Sequence, residues 1–391
     1  MTDVVITSAA RTAIGSYGKS LAGVPPSDLG ATAARAAIER SGIEPSQVDH
    51  VVFGNVIHTE PGDMYMARVV GMKAGVPKEV PAYTVNRLCG TGVQAIVSAC
   101  QSIQTGEASV ALAGGAESMS RGPYWMASAR WGARMGDADL IDPVMGGLTD
   151  PFHSVLMGVT AENLAERGSI SRQRQDEFAV ESHRRAAAAR AEGRFDDQIV
   201  PVPVKVKRDT VEFARDEHIR EDASPEAMAK LKPVFKPDGT VTAGNASGMN
   251  DAGAAVVLMS ESRASELGAP VRARVLAYAS CGVDPAIMGI GPVPAVRRVL
   301  ERAGRSLDDV QVIELNEAFA AQALAVIDEL GLDQEKVNPN GGAIALGHPI
   351  GATGAAITAK ILDEMDRRDL ELGLVTLCIG GGQGIALLLG R

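Results

Sequence analysis

The chain has 391 residues, 46% hydrophobic and 22% charged, a globular profile with room for two or three packed units at roughly 150 residues each. A net charge of −10 argues against sequence-independent nucleic-acid binding, and no apolar run approaches the roughly 18 residues of a membrane helix. Four scattered cysteines lack CxxC or zinc spacing, and the start MTDVVITSAARTAIGS shows no secretory leader, so a reduced, cytoplasmic, metal-free chain is expected.

From the N-terminus, IERSGIEPSQV (38–48) closes a helix at Gly42 and leads into the apolar strand VDHVVFG (48–54). TVNRLCGTG (84–92) then runs strand-like into a Gly-rich turn, and SVALAGGAES (109–118) reads as a buried strand ending in glycines. The same order returns in LERAGRSLDDV (300–310, closing at Gly304), VQVIELN (310–316), KVNPNGG (336–342) and VTLCIGGGQG (375–384), the first of them at an offset of 262. This repeat predicts α/β halves, each with a helix-covered sheet. The N-terminal half is placed at 1–118 and completed by about 250–270, where NDAGAAVVLMS (250–260) returns to buried-strand composition. The C-terminal half is placed at 271–391. Residues 119–249 read as an inserted loop domain. It opens with a Met/Gly/Trp-rich stretch (119–158), followed by a helix from near Ser171 to Gly193 whose HRRAAAAR run reads as a solvated face. A strand-like VPVPVKVK (200–207) and a loop to about 239 complete it.

Three Gly-rich turns carry candidate chemistry. Cys89 sits where a strand gives way to a helix beginning Gly90, Thr91, Gly92, a position expected to lower a thiol's pKa through free N–H groups and the helix dipole. His348, enclosed by glycines and a proline in GHPIGATG, occupies the matching place in the second half, and the pseudo-twofold would bring the two turns face to face. Cys378 ends a buried-type strand before three glycines whose N–H groups suit an oxyanion nest. Asn316 ends a strand and could hold a water or carbonyl, cap the helix 317–330, or both. Gly90, Gly92, Ala95 and Glu117 mimic a dinucleotide fingerprint, but a cysteine occupies the crossing point; GSYGKS (15–20) fails as a phosphate loop because Ala13 stands where Gly is needed. Cys100, inside a helix, and Cys281, in a linker-like stretch, are assigned to packing.

NRLCGTG, TAGNASGMNDAGAA (242–255), NEAFAAQA, NPNGGAIALGHPIGATGA and LCIGGGQG occur in the order of the thiolase signatures, and the chain resembles that family over essentially its whole length. It is most similar there to bacterial β-ketothiolases and acetyl-CoA acetyltransferases, including the broad-range type that feeds polyhydroxyalkanoate synthesis. The resemblance implies duplicated α/β halves layered α-β-α-β-α, with the inserted loop domain binding CoA and making oligomer contacts. It implies an acyl-CoA C-acyltransferase that joins acetyl-CoA to a second acyl-CoA, or splits 3-ketoacyl-CoA with CoA, by ping-pong chemistry. Short-chain substrates such as acetoacetyl-CoA are expected, the alternative being a degradative enzyme of broader or longer chain preference. By the same resemblance Cys89 takes the acyl group and His348 its proton, with Asn316 holding a water. Cys378 moves the α-proton, and the N–H groups of Cys89 and Gly380 form an oxyanion hole. Ser247, Arg220, Leu156, Met157, Ala243, Ala318, Phe319, Phe235 and Leu148 are the implied CoA and acyl contacts, with Arg220 on the adenine or phosphate side. No cofactor, metal, nucleic acid or membrane is implied, CoA being substrate and product; a homotetramer, a dimer of dimers, is. Leu156 departs from the histidine that many biosynthetic members carry before Met-Gly, which makes the acyl wall more apolar and favours tolerance of longer acyl groups. The rival readings are a nicotinamide dehydrogenase, a ketoacyl synthase and a non-catalytic lipid carrier on the same fold.

Overall fold

The computed structural model describes residues 2–391. In chain order the N-terminal half comprises β1 (Val4–Thr12), α1 (Pro26–Arg40), β2 (His50–Gly54), α2 (Met66–Lys73), β3 (Ala82–Val85), α3 (Thr91–Gln104) and β4 (Val110–Ser118). The intervening segment holds α4 (Met157–Gly168), α5 (Arg172–Ala191) and the hairpin β5 (Val202–Val206) and β6 (Asp209–Phe213). β7 (Asn250–Ser260) returns to the N-terminal half. The C-terminal half follows as β8 (Ala273–Gly282), α6 (Pro292–Ala303), β9 (Val312–Leu315), α7 (Ala320–Leu330), α8 (Ile350–Arg368), β10 (Leu372–Ile379) and β11 (Gln383–Gly390).

Apart from the β5–β6 hairpin, these strands form one sheet, ordered β9-β10-β11-β8-β1-β7-β4-β2-β3. Read from the central β8/β1 junction outward, the two sides are equivalent. Each runs through an antiparallel partner (β11 or β7) to a buried strand (β10 or β4) and then a parallel one (β9 or β2). The halves join through an antiparallel pairing of β1 with β8 at Val5–Arg274 and Ile6–Ala273, the arrangement a twofold axis requires. Every residue of β1, β4, β7 and β10 is buried, so these strands read as continuous small or apolar runs rather than alternations.

Helices cover the sheet in layers. α1 and α2 pack through Ala34, Ile38 and Val70 on one side of the N-terminal strands, against Val5, Val51 and Val257. α6 and α7 do the same for the C-terminal strands, with Val296, Val299 and Leu324 against Ile313, Leu374 and Leu388. α3 and α8 lie between the two halves, where Ile96, Ala99, Ala359 and Ile361 share one core with Val256, Val375 and Leu387. The result is the α-β-α-β-α layering. The outer helices α1 and α6 both open with proline in the first turn and are followed by Gly42 and Gly304 at φ 70° and 61°, matching starts and stops at repeated positions.

The central crossing is reciprocal. A Cβ on Gly92 of α3 would lie 2.4 Å from the Ala355 backbone nitrogen, and one on Gly354 of α8 would lie 2.4 Å from that of Val93. The two glycines are 262 residues apart, the offset of the repeat. Only hydrogen at both positions allows the helices to meet backbone to backbone.

Several sequence expectations change. The run 336–342 is not a strand; only Val337 bridges to Ile313. Cys281 lies within β8, paired with Gly384, not in a linker. The loop expected up to 239 contains β6 and a short helix, Pro225–Ala229. The helix from Ser171 forms as read, capped by the Ser171 hydroxyl, but its HRRAAAAR run is not simply solvated. Ala186 and Ala189 are buried against Ala345 and Leu346, beside the loop that carries His348. The segment is anchored to β1 by Arg11, which is buried. Its guanidinium donates to both carboxylate oxygens of Asp216 at 2.7 and 2.9 Å and stands over the Phe195 ring. Among the described residues no helix is long and apolar enough to cross a membrane.

Gly92→Ala and Gly354→Ala are each expected to destabilise the fold by about 1–3 kcal/mol or more through overpacking, read as a lowered melting temperature. Gly146→Ala, which meets nothing within 4 Å, should leave the melting temperature unchanged.

Candidate active site

A cavity of about 320 Å³ opens where the N-terminal ends of α3 and α8 converge, and both Cys89 and His348 line it. The repeat therefore places its two Gly-rich turns against one space. Cys89 lies in the 3-10 turn Leu88–Gly90 that feeds α3. The turn is held by its own side chains: Asn86 Oδ1 accepts from the Leu88 N–H at 2.9 Å and Thr91 Oγ1 from the Arg87 N–H at 2.8 Å. Leu88 takes the left-handed φ of 45°, a strained conformation for a branched side chain, directly before the cysteine.

His348 is set by three contacts. Its N–H donates to Asn250 Oδ1 at 2.9 Å, its Nδ1 lies 2.7 Å from Thr353 Oγ1, and its Nε2 lies 3.5 Å from Asn316 Nδ2. Asn316 is buried at the end of β9; its N–H donates to Thr376 O and its Oδ1 has no hydrogen-bond partner within the protein. The helix-cap reading of Asn316 falls, because α7 starts only at Ala320, with Phe319 in the cap position. Cys378, fully buried at the end of β10, packs with Met157, Met288 and Ala318, three residues that line the cavity. Gly380 lines it too, and the backbone N–H groups of Gly380 and of Cys89 itself favour the Cys89 thiolate. Gly381 and Gly382 take φ of 79° and 81°, which turns the chain back into β11 beside Gly380 at the cavity wall. Two converging donors of this kind can stabilise negative charge on an oxygen of a group bound to that sulfur.

Of the expected CoA and acyl contacts, Ser247, Leu156, Met157, Ala318, Phe319, Phe235 and Leu148 line the cavity. The Met157 N–H donates to Leu148 O at 2.8 Å, which holds these two across a small hairpin. Phe235 and Phe319 meet edge to face at 6.0 Å. The TAGNASGMNDAG motif forms one wall: Ser247 N–H donates to Ala318 O at 3.0 Å, and Met249 bridges to His348. Arg220 and Ala243 are not brought to the cavity; both are exposed outside it. The Arg220 loop nonetheless abuts that wall. Its backbone N–H donates to His183 Nδ1, and the neighbouring His218 packs under Gly248.

Electrostatically, burial dominates. It pushes the Cys89 thiol up to about 11, against the two backbone N–H groups that favour the thiolate, with Glu117 adding to the rise. The expected lowering by the helix start does not survive, because burial outweighs the two backbone N–H groups. Burial likewise lowers His348 to about 4 and raises Cys378 well above its ordinary range, with the neighbouring Cys89 adding to the latter. The resting site is thus two neutral thiols and a neutral imidazole.

Sequence reasoning missed Glu117 as a structural group, since it figured only in the false dinucleotide fingerprint. It is fully buried, and its carboxylate accepts from Val56, Ile57 and Gly351 N–H and from Asn55 Nδ2, all within 3.1 Å. This ties the end of β2 to the first turn of α8, three residues from His348. Burial raises its pKa to about 8. Met119, Met145, Met288 and Ile350 complete the apolar lining; single apolar residues in separate segments leave no spacing signal.

Comparison with known proteins identifies the family. The family models "Thiolase, N-terminal domain" and "Thiolase, C-terminal domain" match residues 4–262 and 269–391. The chain is 58% identical to "Beta-ketothiolase BktB" of Cupriavidus necator over 100% of this chain and 99% of that one. It is 53% identical to an "Acetyl-CoA acetyltransferase" of Pseudomonas aeruginosa over the full length of both. Among solved structures it superposes on human mitochondrial 3-ketoacyl-CoA thiolase in complex with CoA with a TM-score of 0.97, at 46% identity over 100% of this chain and 98% of that one.

With a thiol pKa near 11, the rate of Cys89 alkylation by iodoacetamide in the substrate-free protein should keep rising with pH up to about 10. A plateau below pH 8 would show that the thiolate is stabilised despite burial.

Proposed function

The chain belongs to the thiolase family and is an acyltransferase, and we propose that it carries out reversible Claisen condensation and thiolysis between acetyl-CoA and 3-ketoacyl-CoA through an acyl-cysteine. The observation that carries the mechanism is the convergence of Cys89, His348 and Gly380 on one largely apolar cavity, with Cys378 packed against residues of its wall.

In the first half-reaction the Cys89 sulfur attacks the thioester carbonyl carbon, and its proton passes to His348 Nε2. The developing oxyanion is met either by the Cys89 and Gly380 N–H groups or by His348 with a water held by Asn316. CoA leaves as the thiol, taking the proton from His348. In the condensation direction Cys378, having passed its own proton to His348, removes the α-proton of acetyl-CoA; the enolate carbon bonds to the acyl carbon, the bond to Cys89 breaks, and His348 returns the proton to the Cys89 sulfur. Thiolysis is the reverse. A neutral thiol–imidazole pair suits this sequence, because charge appears only as the thioester arrives to be attacked.

Ser247, Phe235, Phe319, Ala318 and Leu148 would border the pantetheine and acyl groups, with Arg220 and Ala243 outside the cavity toward the nucleotide. No cofactor is required, CoA being substrate and product. Acetoacetyl-CoA and other short 3-ketoacyl-CoAs are the proposed substrates. Leu156, Met157 and Met288 make the acyl wall apolar and adaptable, which favours a range extending beyond four carbons, as a supplier of polyhydroxyalkanoate precursors or in fatty acid breakdown. A homotetramer is supported by the segment around Trp125, Trp131 and Met135, whose large apolar side chains are 56%, 79% and 96% exposed in the single chain. The four free cysteines suit the reducing cytoplasm.

Incubation with radiolabelled acetyl-CoA and digestion should place the label on Cys89, and Cys89→Ala should lower thiolysis by roughly 10³-fold or more; full activity without a labelled cysteine would falsify the mechanism. Across a series of 3-ketoacyl-CoAs, five- and six-carbon substrates should stay within roughly ten-fold of acetoacetyl-CoA in kcat/KM, and Leu156→His should narrow that range. A steep fall beyond four carbons in the parent enzyme would contradict the role given to Leu156.

A further inference from the structure

We propose that Thr353 is a positioning residue that fixes the His348 ring in the tautomer protonated at Nδ1, leaving Nε2 free as the base toward Cys89. The inference rests on the role given to His348 in the proposed reaction and assigns its proton.

Thr353 Oγ1 lies 2.7 Å from His348 Nδ1 and 2.8 Å from the carbonyl oxygen of Pro349, and both side chains are buried. A carbonyl can only accept, and a hydroxyl has one proton. That proton is directed to Pro349 O, one helical turn back along α8, which also accepts the Ala352 and Thr353 N–H groups at 2.9 Å, so the contact with the ring is made by an oxygen lone pair. Nδ1 must then carry hydrogen. The far side of the ring agrees: Nε2 faces the Asn316 Nδ2 donor at 3.5 Å, while Asn316 Oδ1 finds no partner. A protonated Nε2 would instead call for that oxygen.

The backbone that carries the ring is also fixed: the His348 N–H is held by Asn250 Oδ1, and the Asn250 amide donates to Gly15 O at 2.9 Å, so the asparagine is itself pinned to the N-terminal half. The acceptor is also neutral. A carboxylate here would stabilise the imidazolium and bind the proton more tightly. A hydroxyl orients the ring without doing so, in keeping with an imidazole that burial holds at low basicity. Thr353 accepts the Nδ1 proton equally in the neutral and charged ring, so taking a proton at Nε2 requires no reorganisation of this contact.

Thr353→Val keeps the shape and removes the acceptor; Thr353→Ser keeps the hydroxyl. Valine is expected to lower kcat for acetoacetyl-CoA thiolysis by roughly ten-fold or more while KM for CoA stays within about two-fold, and serine to recover most of the loss. The direct readout is the nitrogen spectrum of protein labelled with 15N-histidine, the His348 signals being assigned by their absence in His348→Asn. The parent protein and the serine variant should show hydrogen on Nδ1 and a free Nε2, and the valine variant a shift toward the other tautomer. Hydrogen on Nε2 in the parent protein, or a valine variant with undiminished kcat, overturns the proposal. If the valine variant does not fold, the parent and serine spectra still decide. The spectrum reads the ring whether or not the protein catalyses thiolysis, so a failure of the proposed reaction is told apart from a failure of this assignment.

Discussion

The contact on which the rest of the molecule depends is the crossing of α3 and α8, where Gly92 and Gly354 let two helices touch along their backbones. It sits on the pseudo-twofold between the halves, so the same close approach is made twice. Both helices start at one end of this crossing, which brings the turn before α3 and the turn before α8 to the same cavity. A larger residue at either glycine would spread the helices and pull the two turns apart. The chemistry therefore follows from packing at the centre of the molecule.

Because the site lies between layers, its reactive groups are largely buried, and burial sets its electrostatics. Cys89, Cys378 and His348 are each shifted toward the neutral form by burial. Charge made during a reaction must be met by oriented groups already in place. The N–H groups of Cys89 and Gly380 and the Asn316 amide, the last by holding a water, supply those, while the Thr353 hydroxyl orients the ring. Glu117, braced by four donors, shows the same economy in the scaffold: a single buried carboxylate joins the β2 end to the α8 start.

Much of this was legible in the residues themselves. Gly42 and Gly304 marked equivalent helix ends, and the buried runs at 109–118 and 250–260 became β4 and β7, because strands covered on both faces must be apolar throughout. The turns at Cys89, His348 and Cys378 stood out since their glycines make sense only where backbones approach closely. What failed was local inference about environment. The cysteine at a helix start suggested a lowered pKa, but the helix effect is smaller than the desolvation imposed by neighbours far away in sequence. The alanines of HRRAAAAR looked solvated, and their burial depends on a loop some 160 residues later.

The amino-acid sequence by itself determined the duplicated architecture, the turns that carry the reactive groups and the kinship those turns imply. These are recorded as periodicity and as glycine, cysteine and histidine at fixed spacings. The tertiary structure alone decided which groups share the cavity, that Arg220 and Ala243 stand outside it while Leu156 and Met288 line it, and how protons are held at Cys89 and His348. The physical reason is that burial and hydrogen-bond partnership are properties of pairs brought together by folding. Asn316 and His348 meet across 32 residues, and Glu117 reaches Gly351 across 234. No window along the chain contains both members of such a pair.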